Sequence, residues 1–296
     1  ALRANKAFNH VPIIILSAIG DEFNKITGFE GGADDYITKP FNLEDLKNRV
    51  QTLLMRCKDH NEDDNASMGI DTSGVIDRVD TGIPELNQVL KGGIPKGSNI
   101  LLIGPIGSGK STMARRFTAK GLRNKERSMV ITLDDAPAMI RKSLEGMLDR
   151  RTQEYEEMNL FSVVDAYSWS SETDVKKEKN TIQGILDLNQ LSMVVADAGV
   201  SLGQSIQSKL GGRRILDSIS SLLINFDLSS VQRFLSQLSR TSMAFGMVTS
   251  LFLIEEGTVS EHVLNNIKYV MDGVIETKQT GDEFYLRVAS MKWIDY

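Results

Sequence analysis

Residues Gly104-Pro105-Ile106-Gly107-Ser108-Gly109-Lys110-Ser111 match the pattern G-x-x-x-x-G-K-S in full. They stand between an apolar, strand-sized run at 99–103 and a helix-forming stretch at 112–117. No other feature constrains the fold of this chain as strongly, because a glycine-rich turn in that setting requires a strand–loop–helix unit. Glycines let the backbone wrap closely, so that several N–H groups converge on an anion. The helix N-terminus adds its partial positive charge. In such a loop the lysine reaches the β- and γ-phosphates of a nucleoside triphosphate and the following hydroxyl ligates magnesium. Gly104, Ile106, Gly107, Ser108, Gly109, Lys110, Ser111 and Thr112 are therefore expected to bind ATP, with Ser111 also on Mg2+.

Magnesium in such a site takes a second anchor, usually an Asp at the end of an apolar strand. Asp217, after Arg213-Arg214-Ile215-Leu216, is favoured over Asp197, after Met193-Val194-Val195-Ala196, because Ser218-Ile219-Ser220-Ser221-Leu222 follows Asp217 as a helix start. Asp134 and Asp135 close the apolar run 129–133. A carboxylate there either orients an attacking water as general base or caps the helix near Pro137, and the residues alone leave both open.

The pattern along the chain is α/β. Residues 12–16, an amphipathic stretch at about 21–31, a strand at 35–38 and a helix from Asn42 to about Arg56 read as β-α-β-α, which implies parallel strands with right-handed crossovers. Residues 58–77 are polar, acidic and non-periodic and read as a linker. Beyond it, strands are expected at 99–103, 128–133, 160–164, 214–216, 244–249, 273–277 and 283–290, mostly separated by helices, which makes a largely parallel sheet. The start of the chain reads as the tail of a helix that begins upstream.

Composition narrows the class. The 296 residues, 41% hydrophobic and 25% charged, suit two ordinary globular domains. A net charge of −5 gives no broad reason to expect nucleic acid as a partner. The single Cys57 forms no internal disulfide and points to a reducing, cytoplasmic setting. No apolar run approaches the roughly 18–20 residues of a membrane span. The basic residues of the 115–127 region and Lys176-Lys177-Glu178-Lys179 read as solvated surface, and Trp169 and Trp293 as packing residues.

From about Arg78 onward the chain resembles the KaiC-like branch of the RecA-superfamily ATPases. The residues that carry this are Thr81-Gly82-Ile83-Pro84-Glu85-Leu86, Gly92-Gly93-Ile94-Pro95-Lys96-Gly97-Ser98, the phosphate loop, Thr132-Leu133-Asp134-Asp135, Val164-Asp165-Ala166-Tyr167, 213–218 and 269–274. The resemblance implies a RecA-like core over 78–296, ATP binding with slow hydrolysis, and a homo-oligomeric ring, usually a hexamer, with ATP between subunits. It places Asp217 on magnesium and puts Asp134 and Asp135 where the family has an adjacent glutamate pair that activates water. Each is one methylene shorter than that glutamate, so binding is the firmer expectation than hydrolysis. It also assigns Lys292, in Ser290-Met291-Lys292, to a neighbour's ATP, with Ser290 standing where the family has a second basic residue.

Residues 1–57 resemble the C-terminal half of a response-regulator receiver, a flavodoxin-like fold. Ser17 stands at the hydroxyl switch position, Tyr36 at the switch aromatic, and Lys39-Pro40 at the Lys-Pro pair. The family's phosphoacceptor Asp and acidic magnesium pair would precede residue 1. The resemblance implies an upstream histidine kinase acting on the full receiver. The functional expectation is a signalling ATPase under receiver control. Its rivals are a nucleotide-gated assembly module that hydrolyses little and, last, a RecA-type enzyme acting on DNA.

Overall fold

The structure is a computed structural model that describes residues 14–18, 35–39, 77–170, 178–182, 184–204, 211–244 and 246–293. The chain falls into two compact units, Ala1–Ile70 and Asp71–Tyr296. In the first unit, β1 (Ile14–Ala18) and β2 (Asp35–Lys39) pair in parallel, with Ser17 opposite Thr38 and Ala18 opposite Lys39. The helices expected at 21–31 and 42–56, Pro40, and the linker up to residue 76 lie outside the described residues.

The second unit opens with a small antiparallel pair, β3 (Arg78–Val79) and β4 (Ile94–Pro95), around helix α1 (Pro84–Val89). A seven-stranded sheet follows, built from β5 (Asn99–Gly104), β6 (Ser128–Thr132), β7 (Phe161–Asp165), β8 (Gly212–Asp217), β9 (Val248–Glu255), β10 (Gly273–Thr280) and β11 (Glu283–Met291). Their order is β11-β10-β5-β9-β8-β6-β7, parallel throughout except for the β10–β11 hairpin.

Side chains alternate across the sheet, as a period of two requires. Ile100 and Leu102 enter one core with α1, α2 (Lys110–Arg123), α3 (Pro137–Glu145) and α4 (Thr152–Glu157). Leu101 and Ile103 enter the other with α5 (Leu188–Ser201), α6 (Ile219–Asn225), α7 (Leu228–Ala244) and α8 (Glu261–Tyr269). Both faces are covered, which explains why strands such as Asn99–Gly104 read as continuous apolar runs.

The same alternation disposes of two buried cations on β8. Arg213 turns toward α2, giving Glu126 two bonds (2.8 and 3.1 Å), the carbonyls of Asp80 and Phe117 one each at 2.7 Å, and its charge to the Phe117 ring at 4.5 Å. A Cβ on Gly121 would stand 2.4 Å from the Arg213 side chain, so the helix accepts a glycine there to admit it. Arg214 turns the other way, to the Leu238 carbonyl at 2.7 Å and the Ser250 hydroxyl at 3.1 Å. Burial lowers its pKa to about 10.

Two expectations are corrected. The strand expected at 244–249 begins at Val248 and runs to Glu255, and residues to Ala244 belong to α7. Gly246 and Met247 (φ 94° and 68°) supply the left-handed turn between them. Glu178, expected in a solvated stretch, is clamped by both terminal nitrogens of Arg141 at 2.7 and 2.8 Å. Trp169 and Trp293 pack against the two cores, as expected.

Candidate active site

Parallel strands bring their carboxyl ends to one edge, where ligands of open α/β sheets bind. Here that edge collects Gly104, Thr132, Asp217 and Glu255. The loop 104–109 leaves β5 and enters α2, whose N-cap is Gly109 in the left-handed region (φ 91°). Gly107 is left-handed as well (φ 80°), a backbone that L side chains rarely adopt. Gly104 is required for space: a Cβ there would stand 2.2 Å from the Thr277 hydroxyl and 2.7 Å from that of Ser108. Those two hydroxyls bond each other at 2.6 Å, tying the loop to β10. A Cβ on Gly109 would come within 3.2 Å of the Phe284 ring, which the hairpin sets beside the loop. The Ile106 side chain is 87% exposed, so this residue serves the loop through its backbone.

Lys110 is buried, at 4% exposure, and its ammonium lies 2.8 Å from each of the Gly104 carbonyl, the Pro105 carbonyl and the Glu255 carboxylate. Ser111, in the first turn of α2, neighbours the Asp217 carboxyl and favours its charged form. Asp217 is pushed up to about 6, first by burial and then by the negative charges of Asp134 and Asp135, with Ser111 and Arg115 opposing. Asp197, the rival expected at a strand end, lies within α5.

Neither Asp134 nor Asp135 caps the next helix. The N-cap of α3 is Ala136, which makes no side-chain cap bond, and Pro137 opens the helix. Asp134 instead accepts the Ser221 hydroxyl of α6, and Asp135 meets Arg115 of α2 at 3.4 Å. Asp165 uses its carboxylate on the N–H groups of Tyr167 and Ser168 (3.0 and 2.9 Å), which fixes the turn after β7.

These residues fit a hydrated divalent cation. The negative charges of Asp134 and Asp135 add to the cost of ionising the buried Asp217 carboxyl, and a cation bound by Ser111 and Asp217 would relieve that repulsion. Among the described residues no group of three or more His, Cys, Asp or Glu side chains forms a self-sufficient metal site. Phosphate oxygens and water would complete the coordination, the usual manner of magnesium.

Lys292 does not join this site within its own chain. It pairs with Asp272 at 3.0 Å, and the Asp272 N–H donates to the Asn99 carbonyl at the start of β5. The phosphate loop lies at the far end of that strand, about 17 Å away at 3.3 Å per residue. Sequence reading missed Glu255, Ser221 and Thr277. Ending the strand at Thr249 hid an acid at the tip of an apolar run, the one signal that marks Glu255. The Ser221–Asp134 and Ser108–Thr277 pairs join residues far apart in the chain and leave no local pattern.

Comparison with known proteins shows the family and the fold. Residues 79–292 match the family model described as ATPase: KaiC, and residues 1–51 match that of the response regulator receiver domain. A UPF0273 protein of Methanopyrus kandleri is 30% identical over 202 residues, covering 68% of this chain and 76% of that protein. One from Thermotoga maritima is 28% identical over 203 residues, covering 68% and 79%. The crystal structure of a KaiC-like protein from Pyrococcus horikoshii superposes with a TM-score of 0.56 at 20% identity, covering 74% of this chain and 90% of that one. Among the described residues no helix is long and apolar enough to cross a membrane.

Proposed function

Because this chain belongs to the KaiC family of ATPases, we propose that it binds Mg-ATP at the carboxyl edge of the sheet and hydrolyses it slowly, under control of the receiver-type segment at residues 1–51. The observation that carries this reading is the meeting of Lys110, the Ser111–Asp217 pair and the Asp134–Asp135 acids at one edge. The loop amides and Lys110 bind and orient the phosphates. Ser111 and Asp217 hold the cation. Bound there, magnesium supplies charge that neutralises the phosphate oxygens. Asp134 and Asp135 follow β6, which lies beside β8 on the side away from the loop strand β5, and in this reading either carboxylate accepts a proton from a water aligned on the terminal phosphate. Ser221 and Arg115 keep that pair in place.

Steady-state phosphate release tests the hydrolytic part. Replacing both acids, Asp134→Asn with Asp135→Asn, should slow release by roughly 10²-fold, the lower end of general-base effects, while Mg-ATP still binds. Equal low rates in the variant and the natural protein would favour the assembly-module reading, which draws on the short acids and their engagement by Ser221 and Arg115.

The position of Lys292, about 17 Å from its own loop by strand length, supports a ring in which it serves a neighbour's nucleotide. Molar mass in solution should rise on adding Mg-ATP, and Lys292→Ala should weaken assembly without removing nucleotide binding. A monomer under both conditions would eliminate the ring. In this reading a histidine kinase acting on the full receiver sets the activity.

A further inference from the structure

Lys110 has three N–H donors and three acceptors, all at 2.8 Å: two carbonyls of its own loop and the Glu255 carboxylate. The phosphate-binding cation is therefore satisfied before any phosphate arrives. Its one charged partner comes from β9, the strand interposed between the loop strand β5 and the Asp217 strand β8. The backbone around Glu255 is held on both sides. Its N–H donates to Ser220 at 2.8 Å, its carbonyl accepts from Thr258 at 2.8 Å, and the Glu256 N–H donates to Gly104 at 2.9 Å. The side chain remains 29% exposed, so it can leave toward solvent while the strand stays put.

We propose that Glu255 is a specificity-determining residue that occupies, on Lys110, the place a terminal phosphate takes, and so weighs against a nucleoside triphosphate more than against a diphosphate. The inference rests on the nucleotide site proposed above. A diphosphate needs one oxygen near the ammonium, which Lys110 provides by releasing a loop carbonyl while keeping Glu255. A triphosphate brings a second phosphate to the same ammonium. Glu255 then faces a like charge at close range beside the buried ammonium, where such repulsion is strong, and has to swing out. Nucleotide discrimination is thereby set by an acid whose carboxylate is bonded to Lys110.

Calorimetric titration of the full chain with Mg-ATP and with Mg-ADP tests this, using the natural protein, Glu255→Gln and Glu255→Ala. The Gln variant keeps shape and an acceptor but loses the charge. Its ATP affinity should rise about tenfold and its ADP affinity much less, so that the ATP-to-ADP ratio shifts by close to that factor. Glu255→Ala should shift the ratio the same way, and thermal melts without nucleotide report that both variants fold. Equal changes for both nucleotides, or weaker ATP binding by Glu255→Gln, would overturn the role of Glu255 while leaving the site standing. A natural protein that binds neither nucleotide would overturn both.

Discussion

Lys110→Ala is expected to abolish Mg-ATP binding and leave the fold intact. At a ligand concentration of one hundred times the dissociation constant, binding stabilises a protein by about 2.7 kcal/mol. The natural chain should be stabilised by that amount in thermal melts with Mg-ATP, and the variant not at all. Lys110 is the buried cation of the loop, and the remaining loop groups are neutral amides. Removing it withdraws the charge-assisted bonds to phosphate, which are about twice as strong as neutral ones. The fold should survive for local reasons. Position 110 opens α2, where alanine is the best helix former. Glu255, no longer paired, is 29% exposed and can take water. Undiminished stabilisation of Lys110→Ala by Mg-ATP would remove the site assignment altogether.

Asp217→Asn should move two measurements in opposite directions. The Asp217 carboxyl is pushed up to about 6 in the folded chain. A folded-state pKa above the unfolded value means that the native protein holds the proton more tightly, so stability falls as pH rises from the ordinary aspartate range to about 6 and stays low above it. Asparagine keeps an oxygen for the Ser111 hydroxyl and removes the charge. At pH 7.5 the nucleotide-free variant should therefore be more stable than the natural protein, by up to about 3 kcal/mol. Near pH 4, where the natural carboxyl is also neutral, the two should melt together. Magnesium dependence should move the other way: the variant loses a cation ligand, so nucleotide stabilisation should become insensitive to Mg2+. In the natural protein, Mg-ATP affinity should fall as pH drops below about 6, because the proton competes with the cation for the same oxygens. A variant that melts lower at pH 7.5 yet retains its magnesium dependence would show that Asp217 is a structural acid and not a cation ligand.

The phosphate loop was fully legible, because its demands are local: glycines where φ is positive, a lysine and a hydroxyl at the helix start. Asp217 was legible from a strand end followed by a helix start, and the helical setting of Asp197 follows from the chain's packing on the other sheet face. The dual reading of Asp134 and Asp135 was not decidable from residues alone. The backbone made Ala136 the N-cap, which freed both carboxylates to turn toward Ser221 and Arg115. The strand after α7 begins later than its sequence suggests, because 245–248 reads as one apolar run and the left-handed turn at Gly246 and Met247, which separates helix from strand, leaves little mark in it.

By itself, then, the sequence determined the element types, the βα order that makes the sheet parallel, and the glycine-rich loop with its lysine and hydroxyl at a helix start, since each depends on neighbours within one turn or one strand. Strand order was decided only by the tertiary structure. Inserting β9 between β5 and β8 carries Glu255 to Lys110 across 145 residues of chain, and placing β10 beside β5 brings Thr277 to Ser108 across 169. Such pairs arise when separate apolar strands are buried side by side, and the burial energy that selects their order is shared by the whole sheet and written in no single segment.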